Sequence, residues 1–264
     1  MVNDKLKFFV ENLLDGAGVS LASNVTNQLP LANLQHESKR KVWRGTGTSA
    51  TITIDLGAAE QIDSLFLIRE NLTESATIEW RYSSDNFVGE DVQAGILTVG
   101  EKPSDYDLVF PLLLDAAISR RYWRCILSDG SNPDGFLTVG RLFLGLRTEY
   151  TAGLLYPWVI TLVDQSQVER SAAGDPLRHR RAKWRKVTFD MAALTDEDEA
   201  HQEFMDFIMD VGLSRDFFIS LSPADEEEVI QRRHTLYGSF TQIDGLTEES
   251  TRVYVTKQIV FEES

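Results

Sequence analysis

Ala50-Thr51-Ile52-Thr53-Ile54-Asp55-Leu56 alternates apolar and polar residues with period two, so Ile52, Ile54 and Leu56 share one face and the Thr and Asp side chains the other. That is the signature of a half-buried antiparallel strand. Gly57-Ala58-Ala59 breaks the pattern, and Ile62-Asp63-Ser64-Leu65-Phe66-Leu67-Ile68 follows as a second, more continuously apolar strand. Ala76 to Tyr82, Arg121 to Leu127 and Leu137 to Leu144 repeat the rhythm between turns rich in Gly, Asn, Asp and Ser, and no long amphipathic helix interrupts them. Such a series predicts a β-sandwich.

The whole chain has 264 residues, enough for two cores, and a division at Leu146 predicts domains 1–146 and 147–264. With 42% hydrophobic and 25% charged residues it is too apolar and too patterned to be mainly disordered. Its longest apolar runs, such as Val109 to Leu114, fall well short of the roughly 20 residues of a membrane span, so none is expected. Met1 to Val10 lacks the apolar core of a secretory signal, which predicts synthesis and retention in the cytosol. Lys and Arg number 26 against 41 Asp and Glu, for a net charge of −15, and an acidic surface is a poor partner for phosphate backbones. The single cysteine, Cys125, excludes an intramolecular disulfide and a multi-cysteine zinc site; its strand-like setting predicts a buried thiol.

The order of motifs between Val19 and Gly145 resembles the discoidin, or coagulation-factor type C, family of galactose-binding-like jelly-roll sandwiches. The resemblance rests on Trp43-Arg44 before a turn, Ile52-Thr53-Ile54-Asp55-Leu56-Gly57, Ile62 to Ile68 leading to Asn71, and Ile78 to Asp85 with its Ser83-Ser84-Asp85 turn. Arg121-Tyr122-Trp123-Arg124 and Leu142-Phe143-Leu144-Gly145 are similar to the last two strands of that family. Secreted members commonly close the domain with a cysteine pair, which this chain cannot make, so an extracellular adhesin is not expected. Family binding loops vary and transfer no sugar contacts by themselves. Aromatic residues at one end of the sandwich remain candidates to stack on a host surface glycan, and Trp43, Trp80 and Phe87 are those candidates, with burial in the core as the competing explanation.

The second half predicts a β-rich domain with one amphipathic helix. Leu154 to Asp164 is a strand expected to start at or just after Pro157, and Gln165 to Pro176 is a polar loop. Arg178 to Lys186 is the one basic cluster in the chain; it alternates with Ala182 and Trp184 as a charged strand would, and its acidic surroundings favour pairing between proteins. Thr195-Asp196-Glu197-Asp198 reads as a helix start, with Ala200, Phe204, Phe207, Ile208 and Val211 at helical spacing and Gly212 as the stop, giving a helix near 196–211. Its acids Glu199, Glu203, Asp206 and Asp210 read as a solvated face rather than metal ligands. Asp216 to Leu221, Leu236 to Phe240 and the alternating Arg252 to Glu262 complete the strands, and Asp225 to Glu228 reads as an acidic turn.

This order resembles the distal-tail and tail-tip proteins of long-tailed bacteriophages, on Trp184 to Phe189, Leu194 to Glu197, Leu236-Tyr237-Gly238 and the closing strand. The resemblance implies a structural component of the virion tail, made in the host cytoplasm. It would form or decorate a homo-oligomeric ring, hexameric by analogy, between tail tube and tail hub or fibre proteins. Arg178, Arg180, Arg181 and Arg252 are the candidate interface residues, with the loop Gln165 to Pro176 and the terminal strand as candidate edges. An alternative is a carbohydrate-binding module acting through the first domain.

Catalytic patterns are missing. The four histidines are scattered without a His-Glu-x-x-His pair, and there is no Gly-x-Ser-x-Gly elbow, Walker loop or Gly-x-Gly-x-x-Gly. Acid pairs such as Asp105 with Asp107 are expected by chance among 41 acids. The expectation is a protein that is not an enzyme and holds no cofactor or metal.

Overall fold

The computed structural model describes residues 6–102, 108–149, 153–195, 200–222, 227–244, 246–250 and 253–264. In chain order the first ten strands are β1 Lys7–Phe9, β2 Ser20–Ser23, β3 Asn27–Leu29, β4 Trp43–Thr46, β5 Ser49–Glu70, β6 Thr77–Ser83, β7 Val92–Thr98, β8 Val109–Ser128, β9 Phe136–Gly145 and β10 Thr148–Glu149. They are followed by β11 Gly153–Asp164, β12 Gln167–Arg170, β13 Pro176–His179 and β14 Lys183–Thr195. The chain closes with α1 Ala200–Val211, β15 Phe217–Ser220, α2 Glu228–His234, β16 Thr235–Gln242, β17 Leu246–Ser250 and β18 Val253–Glu263. The protein is thus mainly β: a jelly-roll β-sandwich, and a second β-rich part that carries the amphipathic helix α1. Two compact units result. Unit 1 holds the described residues up to Glu149 together with those between Phe217 and Leu236, and unit 2 holds Gly153 to Asp216 and Tyr237 to Ser264. The sequence division at Leu146 lies close to the first crossing but left Phe217 to Leu236 with the second half.

In unit 1 the strand order is β3-β4-β9-β5-β8-β6-β7, with β2 added to β5. Two long bent strands turn this sheet into a sandwich. The start of β5 pairs with β2 and the end of β8, and the remainder of β5 pairs with β9 and the start of β8. Gly57-Ala58-Ala59, read from sequence as a break, is instead the corner inside β5: register shifts occur between Asp55 and Glu60, and Gly57 has φ 80°. The Asp55 carboxylate accepts the Gly57 N–H at 2.9 Å and holds the corner. The alternation that opened the sequence has its expected effect, with Ile52 and Ile54 buried and Thr51, Thr53 and Asp55 half-exposed.

The core contains Trp43, Trp80, Trp123, Phe66, Phe110 and Phe143 with essentially no exposed surface. Cys125 lies among them as the sequence predicts, and burial pushes its thiol well above the usual range, which leaves it inert. The physical reason Phe217 to Leu236 groups with unit 1 is apolar. β15 pairs antiparallel with β1, and Phe218 packs edge-on at 5.0 Å from Phe66 and 5.4 Å from Phe143, which are themselves stacked at 5.3 Å. Such pairs contribute about 0.5–1.5 kcal/mol each beyond the area they bury. From α2, the buried Arg232 donates to the carbonyls of Thr98 and Val99.

In unit 2, β14 lies between β11 and β18, and β18 also pairs with β16 and β17. β11 runs through Pro157 rather than starting there. A register shift between Leu155 and Val159 absorbs the missing donor, on a strand at the edge of its sheet where a proline costs least. Helix α1 ends at Gly212 as expected, with φ 56° and its N–H on the Ile208 carbonyl at 2.8 Å. Its N-terminal approach, Asp196 to Glu199, lies outside the described residues. Phe204 is buried against β14, and Phe207 packs edge-on to Phe240 at 6.1 Å. The short helix α2 begins at Glu228, the last residue of the acidic run read as a turn. Gln165 to Pro176 is no loose loop: β12 and β13 pair with each other as an exposed ribbon closed by Ser171 to Asp175.

Candidate functional site

The turn between β6 and β7 is tied down by its own side chains. Asp85 accepts from the backbone N–H groups of Val88, Gly89 and Glu90 at 2.7–3.2 Å. The Ser83 hydroxyl donates to Asp85 at 2.8 Å and accepts from the N–H of Asp85 and of Phe87. Glu90 accepts from the Ser84 N–H at 2.6 Å and from Arg120 at 2.8 Å. This is the Ser83-Ser84-Asp85 turn seen in the sequence, now with its function in the fold: two carboxylates and one hydroxyl satisfy the donors that a tight loop would leave open.

Inside it, Asn86 and Phe87 have φ 58° and 64°. Left-handed backbone at a bulky aromatic residue is unusual and costs about 1–3 kcal/mol, sustained only where the surroundings enforce it. The Phe87 ring is half-buried, and the Arg124 guanidinium lies 3.7 Å from its centroid. Arg124 projects from the outer face of the sheet, where Thr51, Thr53 and Asp55 of β5, Tyr122, Arg124 and Ile126 of β8, and Glu79 and Arg81 of β6 are all half-exposed. Beside it Arg121 makes two hydrogen bonds to Asp55 at 2.6 and 2.9 Å, and Arg81 binds Asp91 and Glu79. The surface offers an aromatic edge, planar guanidinium donors and a phenol beside the carboxylates of Asp55, Glu79 and Asp91.

Electrostatics reinforce the rigidity. The Arg120 guanidinium, with help from Ser84, holds the Glu90 carboxyl down at about 2, and the Ser83 hydroxyl leads the groups that depress Asp85. A carboxylate lowered in the folded state supports the loop above its unfolded value, and the support is lost as pH falls through the folded value. The loop is therefore expected to keep its hydrogen bonds at pH 4 and to lose them only as pH approaches about 2. A carbon-detected NMR titration of Glu90 checks this, and a midpoint near the ordinary 4.5 would contradict it.

Of the aromatic residues singled out in the sequence, only Phe87 belongs here. Trp43 and Trp80 are 0% exposed and point into the core, so neither offers a face to a ligand, and they are withdrawn as glycan contacts. Sequence reasoning missed Arg124 because an arginine in an alternating strand looks like any solvated charge. Its one available signal was its place in Arg121-Tyr122-Trp123-Arg124, facing outward opposite Trp123.

The basic cluster of unit 2 divides in two. Arg178, Arg180 and Arg181 are exposed on or just after β13, lining with Val168 and Lys183 an open cleft of about 650 Å³. Arg185 instead is buried in an ion pair with Glu263, and Lys186 faces Glu262 at 3.6 Å. Arg252 lies outside the described residues, as do Asp105 and Asp107. Among the described residues no three His, Cys, Asp or Glu side chains converge to hold a metal, and no helix is long and apolar enough to cross a membrane.

No protein-family model and no curated protein sequence matches the chain. Solved structures similar to it include a family 32 carbohydrate-binding module of a GH89 protein from Clostridium perfringens, 14% identical over 51% of this chain and 98% of that one, with a TM-score of 0.41. The family 32 module of NanJ from the same organism, in complex with galactose, is 13% identical over 53% of this chain and 99% of its own, with a TM-score of 0.41. A GH29 fucosidase from Ruminococcus gnavus is 14% identical over 52% of this chain and 27% of its own, with a TM-score of 0.41.

Proposed function

We propose that unit 1 is a non-catalytic carbohydrate-binding module whose ligand rests against Phe87. The observation that carries this reading is the geometry of that residue: an aromatic ring, partly open to solvent, on a backbone conformation that its own chemistry disfavours and that the Ser83 hydroxyl and the Asp85 carboxylate enforce. Strain of this kind is retained where it places a side chain for use, and a flat ring flanked by planar donors suits the apolar face and hydroxyl rim of a sugar. The test is a glycan array probed with the intact chain and with Phe87→Ala. Binding to a defined set of glycans, lost in the variant without a change in unfolding midpoint, is the expected result. A folded chain that binds no glycan sinks the reading.

A second reading concerns unit 2 and follows from the β12–β13 ribbon. Its two strands pair only with each other, Val168 and Leu177 are 64% and 49% exposed, and Arg178 and Arg180 carry no ion pair among the described residues. An apolar, cationic ribbon on a chain of net charge −15 suits assembly with acidic neighbours, and the ring-forming tail component of a virion is the form of assembly that the sequence resemblance implies. Mass photometry of the intact chain and of one with Gln167 to His179 replaced by a short Gly-Ser linker decides it. A monomer in both cases removes this reading.

A further inference from the structure

Four arginines stand on or beside the outer sheet face of unit 1, and three are already neutralised. Arg81 is held by Asp91 at 2.5 Å and Glu79 at 2.6 Å, Arg120 by Glu90 at 2.8 Å, and Arg121 by Asp55 at 2.6 Å. Arg124 differs. Its one side-chain hydrogen bond runs from Nε to the Thr53 hydroxyl at 3.2 Å, and among the described residues no carboxylate reaches its terminal amino groups. In a chain with 41 acidic residues that omission stands out. It is sharper because Arg81 lies directly opposite Arg124 in the β6–β8 ladder, and like charges in that position are unfavourable unless something answers them. Arg81 has its two acids; Arg124 has none.

The guanidinium is also preorganised. Stacking on Phe87 fixes its plane, and the Thr53 contact fixes one edge, which leaves the two terminal nitrogens as a planar pair of donors. That geometry matches a carboxylate, whose two oxygens accept in parallel from such a fork. We infer that the module selects sugars bearing a carboxylate, such as uronic acids, with the acid on the terminal nitrogens of Arg124 and the ring against Phe87. This rests on the sugar-binding reading of the Phe87 loop and adds the class of sugar to it.

The test compares matched sugars that differ only at C6: the methyl glycosides of galacturonate and galactose, of glucuronate and glucose, and of mannuronate and mannose, titrated into the full chain by calorimetry at low salt. For the pair that binds, the acid is expected to bind about tenfold or more tightly than the neutral partner, the range of a hydrogen bond to a charged group. Added salt should shrink the ratio. Arg124→Gln should bring it to about one, and Arg124→Lys, which keeps charge but loses the fork, should fall between; the ratio is the readout because Arg124 also stacks on Phe87 and its loss lowers affinity for both members of a pair. Unfolding midpoints establish that each variant is folded. Equal affinities in the parent chain, a ratio unchanged in Arg124→Gln, array hits confined to neutral glycans, or a preference for the 6-sulfated sugar over the acid would each overturn carboxylate selection and leave sugar binding standing. Absence of any glycan binding would remove both.

Discussion

Arg232→Met is expected to destabilise unit 1 by about 2–4 kcal/mol, one of the two largest single-residue effects anticipated in the protein. The residue is 4% exposed, and its guanidinium donates to the carbonyls of Thr98 and Val99 and lies 5.2 Å from the Phe110 ring centroid. Methionine fills similar volume but donates nothing. The buried Val99 carbonyl then loses its donor, at about 1–3 kcal/mol, and the partly buried Thr98 carbonyl loses one at a smaller cost, offset in part because a guanidinium whose charge burial disfavours no longer has to be desolvated. The partner Glu228 is 56% exposed on its side chain, so Glu228→Gln should cost only about 0.5 kcal/mol. At roughly 2–4 °C per kcal/mol for a unit of this size, the midpoint should fall by about 5–15 °C in the first variant and by about 1–2 °C in the second. Similar shifts for both would assign the stability to the ion pair rather than to the carbonyls.

Gly238→Ala is expected to have the largest effect in unit 2. Gly238 of β16 pairs with Glu263 of β18, and a methyl group there would fall on the backbone carbonyl of Glu262, with the Glu263 Cα a further 2.8 Å contact. Neither atom belongs to a side chain that can swing away, so the two strands must part. Overpacking typically costs about 1–3 kcal/mol when neighbours relax, and backbone against backbone should exceed that. Hydrogen exchange of the peptides covering Tyr237 to Gln242 and Lys257 to Glu263 measures the result. Their protection should fall at least tenfold, and unchanged protection would refute the argument.

How much of this was visible in the sequence differs from element to element. Period-two alternation in Ile52 to Leu56 is a local property, and the strand formed with the expected faces. Gly57-Ala58-Ala59 was legible as punctuation but not as a corner, because bending a strand within its sheet and ending it use the same residues. Pro157 misled for a similar reason: a proline tells that a donor is missing, and only the neighbouring strand decides whether a bulge can absorb the loss. Trp43 and Trp80 could not be distinguished from Phe87 by type or flanking residues. Burial depends on which strands meet across the sandwich, whereas Phe87 sits in a loop whose backbone is held by hydrogen bonds between residues two to six apart, with Arg120 of β8 joining only at Glu90. The place of Phe217 to Leu236 was beyond local reading altogether, since β15 finds its partner β1 more than two hundred positions earlier in the chain.

That last pairing bears on how the protein is made. The ribosome adds about 5–20 residues per second, so several seconds separate the emergence of Glu149 from that of Phe217. During that interval Phe9, Phe66 and Phe143 wait without Phe218, and β1 has no β15 beside it. A nascent chain in this condition offers an apolar cluster and an open strand edge to whatever is nearby, which makes it a client for chaperones. The same timing warns against expressing residues 1–149 alone: the fragment would stay in the condition that the complete chain only passes through, and a soluble version of the jelly roll calls for β15 and α2 to be joined back to it by a linker.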